Sequence, residues 1–309
     1  MSLIWIDGQW HDRGSATISV FDHGLLYGDG VFEGMRVYGG RAFRMAEHLD
    51  RLYDSAQAIW LTPPIGKDEM ARVTEEGITR AGITEGYLRH VVTRGVGDLG
   101  LDPRSCARPT AIIIFDTIKI WPPERYTKGL VMMSAATPMP DRETLSPRVK
   151  SLNYLPHIMA KLEGIHAQMD EVLMLDRGGY VAEASGMNVF IVRRGVVTTP
   201  PAWTGVLRGV TRDIVLELAA DAGIPAREEP INRYDVYTAD EAFLTGTAAE
   251  IAPIRSLDGR QIGAGPIGLA VAHSTWSRAA RIVLADLSPG RAAFARASGF
   301  ETLSAGDGL

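Results

Sequence analysis

"TAIIIFDTIKIWPPERYTKGLVMMS", Thr110 to Ser134, is where the chain changes character. It opens with "TAIIIFD", a run apolar enough to be a central strand. Pro122 and Pro123 then interrupt it, and two adjacent prolines continue neither a helix interior nor a central strand. Beyond Gly129 a second β-prone piece begins, "GLVMMSAAT". The stretch therefore predicts two domains of mixed α/β type, α+β in arrangement: residues 1–118, a connector over 119–129, and residues 130–309.

Upstream, Asp7-Gly8 in "LIWIDGQWH" predicts a hairpin. "VFEGMRVYGGRAFR", Val31 to Arg44, repeats that pattern around Gly39 and Gly40. Leu49, Leu52, Tyr53, Ala56 and Ile59 recur at helical spacing, a second helix is expected over Asp68 to Arg80, and "YLRHVVTR" reads as a strand. Downstream, "YLPHIMAKLEGIHAQ" predicts a helix, and the residues from Glu171 to Pro200 a series of short strands. A helix is expected to open at Thr211 and close at Gly223. A hairpin around Asp258-Gly259 and a last helix from about Gly268 to Asp286 follow, and the tail after it has little periodicity.

The 309 residues carry a net charge of −5 and no cluster of basic and aromatic residues, which argues against nucleic-acid binding. One cysteine, Cys106, excludes an internal disulfide framework and suits the cytoplasm. "MSLIWIDGQW" lacks a basic flank and a long apolar run, so neither a signal peptide nor a membrane span is expected. Seven scattered histidines predict no metal site. Gly95, Gly97 and Gly100 in "RGVGDLG" have the spacing of a dinucleotide fingerprint, with Asp116 where a ribose-binding acid would be sought. That motif works only when a helix starts at its third glycine. Here "LDPRSCARP" follows, nine residues with two prolines, so a loop between antiparallel strands is the better account.

The chain uses arginine almost throughout, and only Lys67, Lys119, Lys128, Lys150 and Lys161 are lysines. An arginine would supply charge at position 150, but only a lysine can lose a proton and attack a carbonyl. An amine nucleophile suggests pyridoxal phosphate if the chain also offers a phosphate cradle and a carboxylate for the ring nitrogen. "LRGVTRD" supplies a helix amino terminus at Gly209, Val210 and Thr211. "LTGTAAE" offers a second amide-rich turn with Thr247, and Glu183 stands among apolar residues in "YVAEASGMNVF". Each has a plainer reading as well, Thr211 as a helix cap and Glu183 as a strand-end charge.

Five segments together resemble the class IV pyridoxal-phosphate aminotransferases, and most of all the branched-chain amino acid aminotransferases. They are "FDHGLLYGDGVFEGMRVYGGRAFRMAEHLDRL", "SPRVKSLNYL", "VAEASGMNVF", "LRGVTRD" and "LTGTAAEIAPIRSLDGRQIG", in the family's order. The resemblance implies the fold type IV architecture, like that of D-amino acid aminotransferase. It also implies pyridoxal 5′-phosphate at the domain interface and a homodimer or higher homo-oligomer. It makes Lys150 the Schiff-base lysine, Glu183 the partner of the pyridine nitrogen and Tyr154 the partner of the phenolic oxygen. Arg44, Val210, Thr211 and Thr247 would hold the phosphate, and Leu207, Gly209 and Gly246 would also bind the cofactor. Tyr87 and Arg89, on same-facing positions of one strand, would bind substrate carboxylates with the Thr247 and Ala248 amides. Phe32, Tyr27 and Tyr126 would line an apolar side-chain pocket, Tyr27 and Tyr126 lent across the dimer or from the connector. Met187 and Arg208 depart from the family's usual residues.

The implied activity is transamination of leucine, isoleucine and valine with 2-oxoglutarate by a ping-pong route. A D-amino acid aminotransferase or an aminodeoxychorismate lyase of the same fold is the alternative. A nicotinamide oxidoreductase is a remote one.

Overall fold

A computed structural model describes residues 2–263, 284–286 and 302–304. Two compact units emerge: Met1–Lys119 with Arg148–Tyr154, and Ile120–Pro147 with the chain from Leu155 onward.

The first unit is a six-stranded antiparallel sheet backed by two helices. Its strands are β1 (Leu3–Ile6), β2 (Gln9–Asp12), β3 (Gly30–Tyr38), β4 (Arg41–Ala42), β5 (Gly86–Thr93) and β6 (Thr110–Asp116). They lie in the order β2-β1-β6-β5-β3-β4. The Asp7-Gly8 and Gly39-Gly40 turns are hairpins, as predicted. A short helix, α1 (His23–Tyr27), precedes β3 and carries Tyr27 at its end. Two longer helices, α2 (Met45–Ala58) and α3 (Lys67–Ala81), cover one sheet face. Leu49, Leu52 and Ala56 of α2 and Met70, Val73 and Ile78 of α3 pack there against Val31, Met35, Leu88, Ile113 and Phe115. The glycine-rich "RGVGDLG" segment joins the antiparallel strands β5 and β6, with a single 3-10 turn at Pro103–Ser105 and no helix at its third glycine.

The segment Arg148–Tyr154, expected within residues 130–309, belongs to the first unit instead. β4 pairs only with Val37 and Tyr38, and leaves the Gly30–Phe32 edge of β3 open. The returning segment closes it: Phe32 N donates to Lys150 O at 2.9 Å, and Leu152 N donates to Gly30 O at 2.9 Å. An unpaired strand edge is a liability, and covering it satisfies those backbone groups.

The second unit holds a nine-stranded mixed sheet. The expected connector contains a helix, α4 (Pro123–Lys128), with proline at its first position, where the missing N–H costs nothing. It packs on this unit's sheet, Trp121 and Tyr126 lying against its core. The strands are β7 (Leu130–Ser134), β8 (Glu171–Leu175), β9 (Val181–Ala184), β10 (Asn188–Arg193), β11 (Val196–Thr199), β12 (Ala226–Glu228), β13 (Glu241–Gly246), β14 (Glu250–Leu257) and β15 (Arg260–Gln261). The order is β12-β11-β10-β13-β14-β7-β8-β9, with β15 hairpinned onto β14 through Asp258-Gly259. Helices α5 (Leu155–His166), α6 (Val210–Asp221) and α7 (Arg233–Tyr237) connect the strands. Gly209, not Thr211, is the N-cap of α6, and Thr211 lies inside its first turn.

The predicted last helix and tail lie outside the described residues, apart from β16 (Leu284–Asp286) and β17 (Thr302–Ser304), which pair in parallel. Leu284–Asp286, expected to end that helix, are therefore strand.

Candidate active site

In the first unit, alternation along β3 and β5 separates two environments. Glu33 and His90 turn toward the helices; Phe32, Gly34, Tyr87 and Arg89 occupy the opposite face, in registers Phe32↔Val91, Gly34↔Arg89 and Arg36↔Tyr87. That face carries the predicted substrate groups. Arg89 Nη2 donates to Tyr87 Oη at 3.2 Å, and its guanidinium lies 4.7 Å from the Phe32 ring centroid. Gly34 is required there, because a Cβ would stand 1.8 Å from Tyr87 Oη.

Lys150 joins the same group. Its backbone is fixed twice, by Phe32 N on its carbonyl and by donation of its own N–H to Ser55 Oγ of α2 at 3.1 Å. Its Nζ lies 4.6 Å from the Phe32 ring centroid and donates to Tyr154 Oη at 3.2 Å. The Tyr154 ring meets Phe32 edge-on at 4.9 Å. A half-buried amine against an aromatic wall, with a phenol in reach, is thus assembled from β3, α2 and the returning segment. Arg44 is the N-cap of α2, in a left-handed conformation with φ 52°, and its Nη1 bonds Glu47 Oε1 at 2.7 Å. Tyr27 donates its hydroxyl to Leu99 O at 2.6 Å, and Tyr126 packs its ring on Trp121 within the second unit.

The helix-facing side holds a buried polar cluster. Glu33 accepts from Arg51 Nε at 2.6 Å and Nη2 at 3.0 Å, with His48 Nδ1 at 2.8 Å. Burial opposes ionisation of Glu33, but Arg51 and His48 outweigh it and hold its carboxyl well below the usual carboxylate range. Burial pushes the His90 imidazole down to about 3.

The second unit gathers the remaining predicted groups. Glu183, buried on β9, accepts from Leu207 N at 3.1 Å and Asn188 Nδ2 at 3.2 Å. His157 Nε2 of α5 stands 3.7 Å from its other oxygen. Leu207 leads through Gly209 into α6, whose first-turn amides at Val210 and Thr211 have no side-chain cap. A Cβ on Gly209 would fall 2.0 Å from Asn188 Oδ1, so the backbone comes this close only as glycine. Gly246 ends β13, and Thr247, Ala248 and Ala249 form the tight turn into β14. Met187 is buried with its Cγ 3.0 Å from the Cβ position of Gly246, so an apolar side chain covers that turn. Arg208 pairs with Asp213 Oδ2 at 2.9 Å.

These residues fit pyridoxal 5′-phosphate. Lys150 supplies an amine beside a phenol, and Glu183 a buried carboxylate already held by N–H donors. The helix end at Gly209 offers free amides to an anion. Thr245 Oγ1, cross-strand from Asn188, is buried without a hydrogen-bond partner among the described residues. Sequence reasoning missed Ser55, Gly34, Asn188 and His157. Only Asn188 carried a local signal, as a polar residue opening the apolar strand "NVFIV".

Comparison with known proteins agrees. The amino-transferase class IV family model matches residues 30–257. A putative branched-chain-amino-acid aminotransferase of Methanocaldococcus jannaschii is 47% identical over 265 residues, 86% of this chain and 91% of that protein. The crystal structure of the Escherichia coli branched-chain amino acid aminotransferase superposes with a TM-score of 0.87 at 32% identity, covering 90% of this chain and 94% of that one. That of the branched-chain aminotransferase from Thermoproteus uzoniensis with norvaline gives 0.83 at 36% identity, covering 89% and 93%. The chain belongs to the class IV aminotransferases, in their branched-chain aminotransferase family. It is a transaminase, and its cofactor is pyridoxal 5′-phosphate.

Proposed function

We propose that the chain moves the amino group of leucine, isoleucine or valine to 2-oxoglutarate, by a ping-pong route. The observation that carries this reading is the Phe32 wall, with Lys150 Nζ at 4.6 Å from its ring and the Arg89 guanidinium at 4.7 Å. One aromatic surface thus has a reactive amine and a carboxylate-seeking cation within reach. A pocket that must admit both an aliphatic side chain and the acidic side chain of glutamate needs that combination.

When bound, the cofactor supplies an aldehyde and a protonatable ring that accepts the electron pair left at the substrate Cα. Lys150 Nζ would hold the aldehyde and, once the substrate's amine has displaced it, would take up the Cα proton. Tyr154 Oη, which accepts from the Lys150 amine, would bond the phenolic oxygen. Glu183 would set its carboxylate beside the ring nitrogen and so favour the protonated form of the ring. Arg44 of the first unit, and in the second the amides of Val210 and Thr211 with the Leu207–Gly209 segment and the Gly246–Thr247 turn, would serve the phosphate. Tyr87, Arg89 and the Thr247 and Ala248 amides would take substrate carboxylates, and Phe32, Tyr27 and Tyr126 would keep water from the side chain.

The reading includes a homodimer in the cytoplasm. An exposed apolar patch in the first unit supports the dimer: Val20, Phe21, Leu25, Val96, Leu99 and Leu101 are all exposed on linked segments, Gly97 N donating to Phe21 O. The free thiol of Cys106 suits a reducing compartment. Among the described residues no helix is long and apolar enough to cross a membrane.

Single-turnover absorbance changes with L-leucine, L-isoleucine, L-valine, L-glutamate and D-alanine test the proposal. The four L-amino acids should convert the bound cofactor and D-alanine should not. Conversion by D-alanine alone would defeat it.

A further inference from the structure

Three pieces of the second unit bear on the cofactor: the Glu183 carboxylate, the entry to α6 at Leu207–Gly209, and the Gly246–Thr247 turn. One side chain touches two of them and is strand-paired beside the third. Asn188 opens β10 and is 6% exposed. Its Nδ2 donates to Glu183 Oε2 at 3.2 Å and to Leu207 O at 2.8 Å. Its Oδ1 occupies the space a side chain at Gly209 would need. Its backbone pairs with Thr245, the residue before Gly246.

The chemistry fixes which way the amide points. A carboxylate and a carbonyl only accept, so the NH2 end must face them. Glu183 Oε2 then has two donors, Asn188 Nδ2 and Leu207 N. Oε1 has no hydrogen-bond donor among the described residues, with His157 Nε2 at 3.7 Å. The amide therefore does more than fill space. It commits one carboxylate oxygen to the protein and leaves the other to a ligand's ring nitrogen.

We propose that Asn188 is a positioning residue that ties the ring-nitrogen carboxylate to the phosphate-binding helix end, fixing the distance between the two grips on the cofactor. It touches neither the reacting atoms nor the substrate. The inference rests on the reading of Glu183 and the α6 terminus given above.

Replacing Asn188 by aspartate keeps the shape but sets an oxygen against two acceptors, so Glu183 must turn away or take a proton. Asn188→Ser keeps a hydroxyl donor too short to span both acceptors. The experiment is a double-mutant cycle on the full-length apoenzyme, read as the equilibrium affinity for pyridoxal 5′-phosphate and for phosphate-free pyridoxal, with thermal unfolding as a check on folding.

Asn188→Asp should weaken pyridoxal 5′-phosphate binding about 30-fold and Asn188→Ser about tenfold, factors in the range of coupled contacts. In a Glu183→Gln background, whose amide can donate to the introduced carboxylate, the aspartate effect should shrink to less than about threefold. The advantage of pyridoxal 5′-phosphate over pyridoxal should also narrow in both variants, because the two ends no longer hold a common spacing. Equal losses in both backgrounds would mean a purely structural role and overturn the proposal. A Glu183→Gln enzyme that binds less tightly while both Asn188 variants bind normally overturns the coupling alone. An unchanged Glu183→Gln enzyme overturns the reading of Glu183 and the coupling with it.

Discussion

Gly34 shows how a single missing side chain serves a site. The Tyr87 hydroxyl lies where its Cβ would be, so Gly34→Ala has to push the tyrosine, and the Arg89 bound to it, out of place. Steady-state kinetics should show kcat/KM for 2-oxoglutarate falling by about 10²-fold, since angstrom-scale misplacement costs that much. The fall should appear mainly in KM. Lys150→Arg tests the opposite kind of residue. It keeps the charge beside Phe32 but cannot act as a base at neutral pH. The variant should lose at least about 10³-fold in turnover, in the range typical of losing an essential acid–base group. A residual activity near wild type in a stopped-flow half-reaction would remove Lys150 from the chemistry.

At the scale of elements, α2 and α3 are anchored to the sheet by buried polar contacts as well as by apolar packing. Glu33 is fully buried and held by Arg51 and His48, so Glu33→Ala takes away the carboxylate that both of them bond; chemical unfolding should report a loss of about 3–5 kcal/mol. His90 predicts a pH dependence. Burial lowers its pKa from 6.5 to about 3, so it is neutral when folded and takes a proton when unfolded. Below its unfolded pKa the unfolded chain binds the extra proton, so stability is complete above about pH 6.5 and declines toward pH 3. Glu33, whose carboxyl is depressed from 4.5, adds a loss only below that value. Between about pH 5 and 6.5 the slope therefore reports the histidine, and His90→Gln should flatten it by up to about 1.4 kcal/mol per pH unit.

Local elements were readable in the sequence because their causes are local. Hairpin turns at Asp7-Gly8 and Asp258-Gly259, the apolar stripe of α2 and the apolar run of β6 each carry their own periodicity or turn chemistry. The Lys150, Glu183 and α6 groups were readable as residue types in order. What escaped depends on partners distant in sequence. Nothing near Arg148 announces that its segment closes the edge of β3. "VFEG" does not say that Glu33 turns inward to meet α2, nor "GMNVF" that Asn188 reaches across to Leu207.

For the molecule as a whole, the exposed apolar patch makes assembly testable. Leu25 is 60% exposed, Leu99 68% and Leu101 81%, large apolar side chains that a partner surface would cover. In analytical ultracentrifugation the wild type should sediment as a dimer and a Leu25→Glu, Leu99→Glu double variant as a monomer. A monomeric wild type would reject the homodimer.

The strap Arg148–Tyr154 bears on biosynthesis. A ribosome that has released only the first 119 residues has produced a sheet whose third strand still shows bare amides and carbonyls at Gly30–Phe32. That nascent intermediate must wait for some thirty-five more residues before its seam is sewn, and meanwhile it is open to pairing with other strands. A gene fragment truncated there should yield inclusion bodies, and supplying the missing strand as a peptide should bring part of it back into solution.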